Sequence, residues 1–540
     1  MSWLDAAELR IGLGCMRLPP EAASETIAAA AEAGITVFDT ARAYDGNEQL
    51  LARALRNCRA EKRARVVTKG GMARPGGAWV PDGRAKAIRA DCEASLEALD
   101  GLPIDLYLLH APDPRTPLKT SVRALARLVD DGLVRRVGLA NVNRGQLDEA
   151  LELAPVAAVQ VALSPFDDRA LRGGVVARCT ELGIALIAHS PLGGPKRAGR
   201  VDAAETLSWL LGLSPVVVPI PGPRRPETAR AVARVAATVT TPAPRRRRRV
   251  EPATRSDAEV VLVMGIPGAG KSRVAADYTA RGYVRLNRDE RGGSLRDLAA
   301  TLDETLASGA RRVVLDNTYL TRAARNEVIE IAGRHGTAVR CIWLETPLAQ
   351  AQVNLVERVL DRFGRLPDPV TLRELARREQ GVLAPTSQMR AFRELEPPSP
   401  DEGFAGIERV PFERIPSSGR TGVVVAARAL TEPGWEDALA LCDPDAPHLV
   451  YDWNPHAGRD VLDDAAERLA AEVAGPVHTA LCPHQAGPPA CWCRPPLPGL
   501  PLAFAREHAI ELARSTLVGS APAHRTLATT LGARYVPVTG

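Results

Sequence analysis

Two groups of residues in this 540-residue chain have types and spacings that chemistry uses. The first is GIPGAGKS, Gly265 to Ser272, which follows an apolar β-rich run and precedes a helical pattern. Gly265, Gly268 and Gly270 let the backbone curl so that its N–H groups surround phosphate oxygens. Lys271 then reaches the β and γ phosphates and Ser272 binds a magnesium ion, so the segment predicts ATP and Mg2+ binding. The second group consists of polar residues at the ends of short β-branched runs. They are Asp39 with Tyr44 after ITVFDT, Lys69 in ARVVTKG and His110 after IDLYLLH.

The elements that must position the second group are legible as a repeat. Runs such as ITVFDT, IDLYLLH, VRRVGLA, VAAVQVAL and IALIAHS alternate with helical stretches over residues 1–240. Strands and helices in that alternation predict parallel βα units, and this many predict a closed (β/α)8 TIM barrel with its chemistry at the C-terminal strand ends. From GLGCMRLP to IPGPRRPE the segment resembles the aldo-keto reductase superfamily. The resemblance implies that Tyr44 donates a proton to a carbonyl oxygen as hydride arrives from a nicotinamide. Lys69, paired with Asp39, is expected to lower the phenol's pKa by placing a cation beside the phenolate, and His110 to orient the carbonyl. Asn141 and Gln160 match positions that hold the carboxamide, whereas Ser190, Gly222 and Arg224 match positions along the phosphates. The arginine suits a 2′-phosphate, so NADPH is the expected cofactor. Only 20 residues separate Gly194 from Pro215, a shorter belt than the family's, which is expected to weaken cofactor binding.

Around the glycine-rich loop, residues 257–415 read as a P-loop parallel α/β kinase domain. YVRLNRDE places Asp289 just past the next strand, where a carboxylate can take the proton of a hydroxyl nucleophile. That stretch, VVLDNTYLTRAARNEV with Asp316, Asn317, Arg322 and Arg325, and IWLETPLAQAQVNLVERV together resemble the 5′-hydroxyl polynucleotide kinases. The resemblance implies that Asp289 is the general base and that a lid helix brings Arg358, or next Arg362, to the transferred phosphoryl group.

Residues 420–540 resemble the histidinol-phosphate and heptose-bisphosphate branch of the haloacid-dehalogenase (HAD) phosphatases, through CPHQAGPPACWCRPPLPG and LVGS. The resemblance implies a HAD-like α/β domain and a Zn2+ loop made by Cys482, His484, Cys491 and Cys493. Its catalytic carboxylates are replaced. Ala426 and Arg428 stand at the nucleophile and acid positions and Ser520 at the magnesium position, so the module is expected to be inactive.

Between the first two domains, 241–256 reads as an Arg/Pro-rich linker containing Arg245 to Arg249. A formal net charge of +5 gives no overall argument for nucleic acid. Nine cysteines, with no signal-like N-terminus and no long apolar run, predict a cytoplasmic protein with no membrane partner. Taken together, the sequence predicts a kinase acting on nucleic acid with a 5′-OH end, RNA or DNA. It is fused to a reductase of a carbonyl small molecule or an oxidised sugar end. The alternatives are a small-molecule kinase coupled to a metabolic reductase, or a scaffold whose barrel and C-terminal module only bind.

Overall fold

The computed structural model describes residues 3–5, 7–239, 258–414, 419–456, 458–485, 487 and 489–538. The expected linker at 241–256 lies outside the described residues. The chain divides into two compact units, Met1–Arg249 and Val250–Gly540.

Eight parallel strands in sequential order build the first unit: β1 (Gly12–Gly14), β2 (Val37–Asp39), β3 (Arg65–Gly70), β4 (Ile104–Leu109), β5 (Val137–Ala140), β6 (Ala158–Ala162), β7 (Ala185–His189) and β8 (Val217–Pro219). The Gly14 N–H donates to Pro221 O at 2.9 Å and brings the first strand to the end of the last. Such strands are covered on both faces, so they read as apolar runs rather than alternations. In β4, Leu106 and Leu108 face an inner cluster with Val37, Val67 and Ile187, while Tyr107 and Leu109 face the helical layer. This is a (β/α)8 barrel, and each strand delivers its last residues to one rim.

The second unit holds two further parallel sheets. Strands β9 (Glu259–Met264), β10 (Val284–Leu286), β11 (Arg312–Asp316), β12 (Ala338–Glu345) and β13 (Gly406–Pro411) lie in the order β10-β11-β9-β12-β13. Strands β14 (Val423–Ala426), β15 (His448–Trp453), β16 (Val477–Cys482), β17 (Thr516–Gly519) and β18 (Arg534–Pro537) lie in the order β16-β15-β14-β17-β18. The two sheets are joined through the helix Leu348–Phe363. Its Val353, Val356 and Leu360 share one buried cluster with Val424, Leu502, Phe504 and Leu531 of the C-terminal sheet layer. Polar ties run alongside. Gln350 donates to Thr530 O at 2.9 Å, Arg414 to Thr530 O and Gln350 Oε1, and Trp492 to Leu383 O at 3.0 Å. Among the described residues, no helix is long and apolar enough to cross a membrane.

Candidate active sites

At the barrel rim the structure brings Asp39, Tyr44, Lys69 and His110 together. Lys69, 1% exposed, donates to both Asp39 oxygens and to Thr40 O, each at 2.8 Å, and its Nζ stands 5.1 Å from the Tyr44 ring centre. Burial would strip the Lys69 proton, but Asp39 and Tyr44 outweigh it and hold the ammonium above its usual range. Burial also raises the Tyr44 phenol above its usual value; the Lys69 cation opposes this without cancelling it, and Asp39 adds to the rise. Lys69 thus acts in the expected direction, lowering the phenol's pKa, but burial outweighs it and the net value stays above the usual one. Taking the ring out of water costs the phenolate more than one neutralised cation returns. His110 is pushed down to about 3, by burial first and then by the Lys69 charge, so its ring is neutral at ordinary pH.

Asp39, Tyr44 and His110 line a cavity of about 600 Å³ whose other walls include Asn141, Gln160, His189, Ser190, Gly222 and Arg224. The residues expected to take a nicotinamide dinucleotide thus border one continuous space with Tyr44. A buried polar atom is left orphaned there, since His110 Nδ1 has no hydrogen-bond partner among the described residues. Asn141 and Ser190 hold φ of 57° and 52°, a left-handed backbone that non-glycine residues adopt at a cost and that clusters at ligand sites. The side chains are partly engaged. Asn141 Nδ2 donates to His110 O at 3.0 Å, and Gln160 Nε2 to Asp39 Oδ1 at 2.7 Å. The shortened belt carries a helix, Ala203–Leu213, and still supplies Gly194, Pro195 and Ala198 to the cavity wall.

Two residues here were missed from the sequence. His189, 3.1 Å from Asn141 Oδ1, is pushed down to about 4 by burial and then by Lys69. Its position at the end of β7, one residue before Ser190, was the available signal. Trp79 meets Tyr44 edge-on at 6.2 Å and His110 at 5.4 Å; it lies in a loop with no periodic cue.

In the second unit Gly265, Gly268 and Gly270 have φ of 157°, 87° and 93°, and Lys271 opens the helix Lys271–Ala280 with Ser272 in its first turn. Every loop carbonyl from 265 to 269 has a donor. Lys271 Nζ takes Gly265 O and Ile266 O, Gln388 takes Pro267 O, Asn354 takes Gly268 O and Thr346 takes Ala269 O, at 2.7–3.1 Å. Gln388, Asn354 and Thr346 thus satisfy three of these carbonyls from outside the loop, and Lys271 satisfies the first two from within it. Gln388, Asn354 and Thr346 come from distant segments, and nothing local in the sequence marks them.

Burial pulls Lys271 down to about 8; Asp316 opposes this, Arg358 adds to it and Asp289 opposes it. Asp289, Asp316 and Arg358 therefore all act electrostatically on the loop lysine. Asp316 ends β11, is buried, accepts from Asn287 at 2.9 Å and pairs with Arg285. The side chain of Asp289 is half exposed at the start of the short helix Arg288–Arg291, whose cap Asn287 accepts from the Asp289 and Glu290 N–H groups. Arg362 turns elsewhere, to Glu379 and Gln380 O. Arg325 is fully buried against Glu402 and Arg322 pairs with Asp401, so both arginines pin the domain's edge.

Cys482 Sγ, His484 Nδ1, Cys491 Sγ and Cys493 Sγ lie within 4.8 Å of one another. Zinc–sulfur bonds of about 2.3 Å in a tetrahedron require sulfur–sulfur edges of about 3.8 Å, and the Cys482–Cys491 and Cys482–Cys493 separations are 3.8 and 3.4 Å. Donor set and spacing fit such an ion. At the end of β14, Ala426 and Arg428 stand near Asp452, which is 3.9 Å from the Arg428 guanidinium; Ser520 follows β17.

Comparison with known proteins agrees with both units. The aldo/keto reductase family model matches residues 10–206, and an AAA domain model matches residues 260–381. A probable aldo-keto reductase of Glycine max is 34% identical over 198 residues, covering 34% of this chain and 56% of its own length. An uncharacterised oxidoreductase of Schizosaccharomyces pombe is 33% identical over 239 residues, covering 39% of this chain and 76% of its own. Among solved structures, an aldo-keto reductase from Klebsiella pneumoniae in complex with NADPH is 26% identical with a TM-score of 0.36, covering 43% of this chain and 86% of that one. Through its N-terminal barrel, the chain belongs to the aldo/keto reductase family. Its second unit begins with a P-loop domain of AAA type.

Proposed function

We propose that the chain is a bifunctional enzyme whose barrel reduces a carbonyl compound with NADPH and whose P-loop domain transfers phosphate from ATP. The observation that carries the first half is the buried Asp39–Lys69 pair placed under Tyr44. NADPH, held by Asn141, Gln160, Ser190, Gly222 and Arg224, would supply hydride to the carbonyl carbon. Tyr44, kept protonated by burial, gives its proton to the carbonyl oxygen. Lys69 stabilises the phenolate left behind, and Asp39 holds that ammonium in place. His110, neutral, offers a ring N–H to the same oxygen and lowers no barrier by charge. Aldehyde-dependent NADPH oxidation by the full chain tests this half, and its absence across aldehydes and ketones refutes it.

The second half rests on the shared electrostatics of Lys271, Asp316, Arg358 and Asp289. Lys271 and the loop N–H groups hold the triphosphate, with Ser272 and Asp316 on the magnesium side. Arg358 meets the transferred phosphoryl group and Asp289 takes the acceptor's proton. The acceptor in this reading is a 5′-hydroxyl nucleic-acid end, which makes the chain an end-healing enzyme. The C-terminal module, 420–540, is then a third domain of HAD type without its catalytic carboxylates, holding Zn2+ in the Cys482–Cys493 loop. Labelled phosphate transfer to a 5′-hydroxyl oligonucleotide, beside nucleosides and sugars, decides the acceptor, and Asp289→Ala is expected to abolish it. Transfer to sugars alone would make the domain a small-molecule kinase.

A further inference from the structure

Tyr44 borders two cavities. The larger holds the cofactor in the reading above; the second, about 430 Å³, is lined by Tyr44, Asp45, Leu50, Arg53 and Arg74 among others. Several arginines of this unit are already neutralised, Arg84 by Asp82 and Arg115 by Asp113. Arg53 has no hydrogen bond or ion pair among the described residues. Arg74 donates its Nε to Gly77 O at 3.1 Å and lays its guanidinium 3.8 Å above the Trp79 ring, and neither terminal nitrogen has a partner among the described residues. Trp79 in turn meets the Tyr44 ring edge-on at 6.2 Å and the His110 ring at a tilt at 5.4 Å.

Arg74 is thus fixed through its Nε and its π face, with its fork unused, one aromatic ring away from the proton donor. A guanidinium held in this way loses little freedom when it takes a ligand. Among the described residues, Asp45 is the one carboxylate lining this second cavity, against two guanidinium groups, so the space favours an anion and suits a dianion. Planar forks match phosphate oxygens two at a time. We propose that the carbonyl substrate of the barrel carries a phosphate ester, held by Arg74 and Arg53 in the second cavity while its carbonyl meets Tyr44. The proposal rests on the reductase reading and narrows its substrate class.

The test compares glyceraldehyde with glyceraldehyde 3-phosphate as substrates of the full-length chain at saturating NADPH. The phosphate ester is expected to have a kcat/KM higher by about tenfold or more, chiefly through KM, with the advantage shrinking as salt rises. Arg74→Gln and Arg53→Gln are each expected to shrink that preference at least about fivefold. Equal kcat/KM for the two aldehydes, or a preference that neither substitution moves, overturns the proposal. Calorimetric binding of unreactive 3-phosphoglycerate, with glycerol as control, decides the matter independently of turnover. The expected result is binding by the wild type that the double Arg74→Gln, Arg53→Gln variant loses about tenfold or more. Absence of binding, or binding the double variant retains, overturns the subsite. Failure of both aldehydes to oxidise NADPH while 3-phosphoglycerate still binds through these arginines counts against the reductase reading and supports the anion site.

Discussion

Replacing Lys69 by methionine removes the cation and keeps most of the side chain's volume. Its Nζ lies 5.1 Å from the Tyr44 ring centre. At an effective dielectric of about 20, a unit charge at that distance is worth about 3 kcal/mol to a phenolate, or about two pKa units. Asp39, with the opposite sign, takes back part of this, so a hundredfold fall in kcat is about the ceiling for this effect alone. Stability suffers separately. Asp39, 4% exposed, would keep only the Gln160 hydrogen bond, and breaking a buried pair from one side costs about 3–5 kcal/mol. The double variant Lys69→Met, Asp39→Asn removes both charges and is expected to regain most of the stability while staying as slow as the single. NADPH-linked reduction of one aldehyde and chemical denaturation, measured on all four members of the cycle, check this. A single variant with wild-type kcat, or a double variant as unstable as Lys69→Met, would refute the reasoning.

Three further outcomes are expected. His110 has a folded pKa near 3 against 6.5 for the free side chain, so between those values the unfolded chain binds the proton that the folded one excludes. Barrel stability should therefore fall as pH drops below 6.5, by about 1.4 kcal/mol per pH unit from this group, and His110→Asn should flatten the slope in denaturation curves. At Gly268 a Cβ would stand 2.3 Å from Ala351 O at a φ of 87°, so Gly268→Ala pushes the helix Leu348–Phe363 off the loop and should weaken ATP binding at least about tenfold, read by titration. Leu360, 2% exposed within the cluster shared with the C-terminal sheet, should cost about 2–5 kcal/mol when cut to alanine. Calorimetry should show the P-loop and C-terminal sheets shifting in one transition, and separate melting of the C-terminal sheet would contradict the shared core.

The barrel was legible because its strands are apolar runs, several with a polar residue at or beside the end, as Asp39, Lys69, His110 and Asn141 are. The glycine-rich loop was legible for a similar reason, since its chemistry lies in eight consecutive residues, Gly265 to Ser272. What escaped was whatever depends on distant partners. Asn354 and Gln388 reach the loop carbonyls from 86 and 121 residues away. Trp79 acts from an aperiodic loop, and the Tyr44 pKa turns on burial that no spacing reveals. The apolar face of the helix Leu348–Phe363, with Val353, Val356 and Leu360, belongs to a core shared with the next sheet, which its sequence alone does not reveal.

Tyr44→Phe is the most direct test of the central claim, because it deletes one hydroxyl and leaves the cavity's shape. Aldehyde reduction followed through NADPH should fall by about a hundred- to ten-thousandfold, with NADPH affinity, titrated by fluorescence, within about twofold of the wild type. A variant that reduces the aldehyde at the wild-type rate while binding NADPH normally would contradict the assignment of Tyr44 as the proton donor.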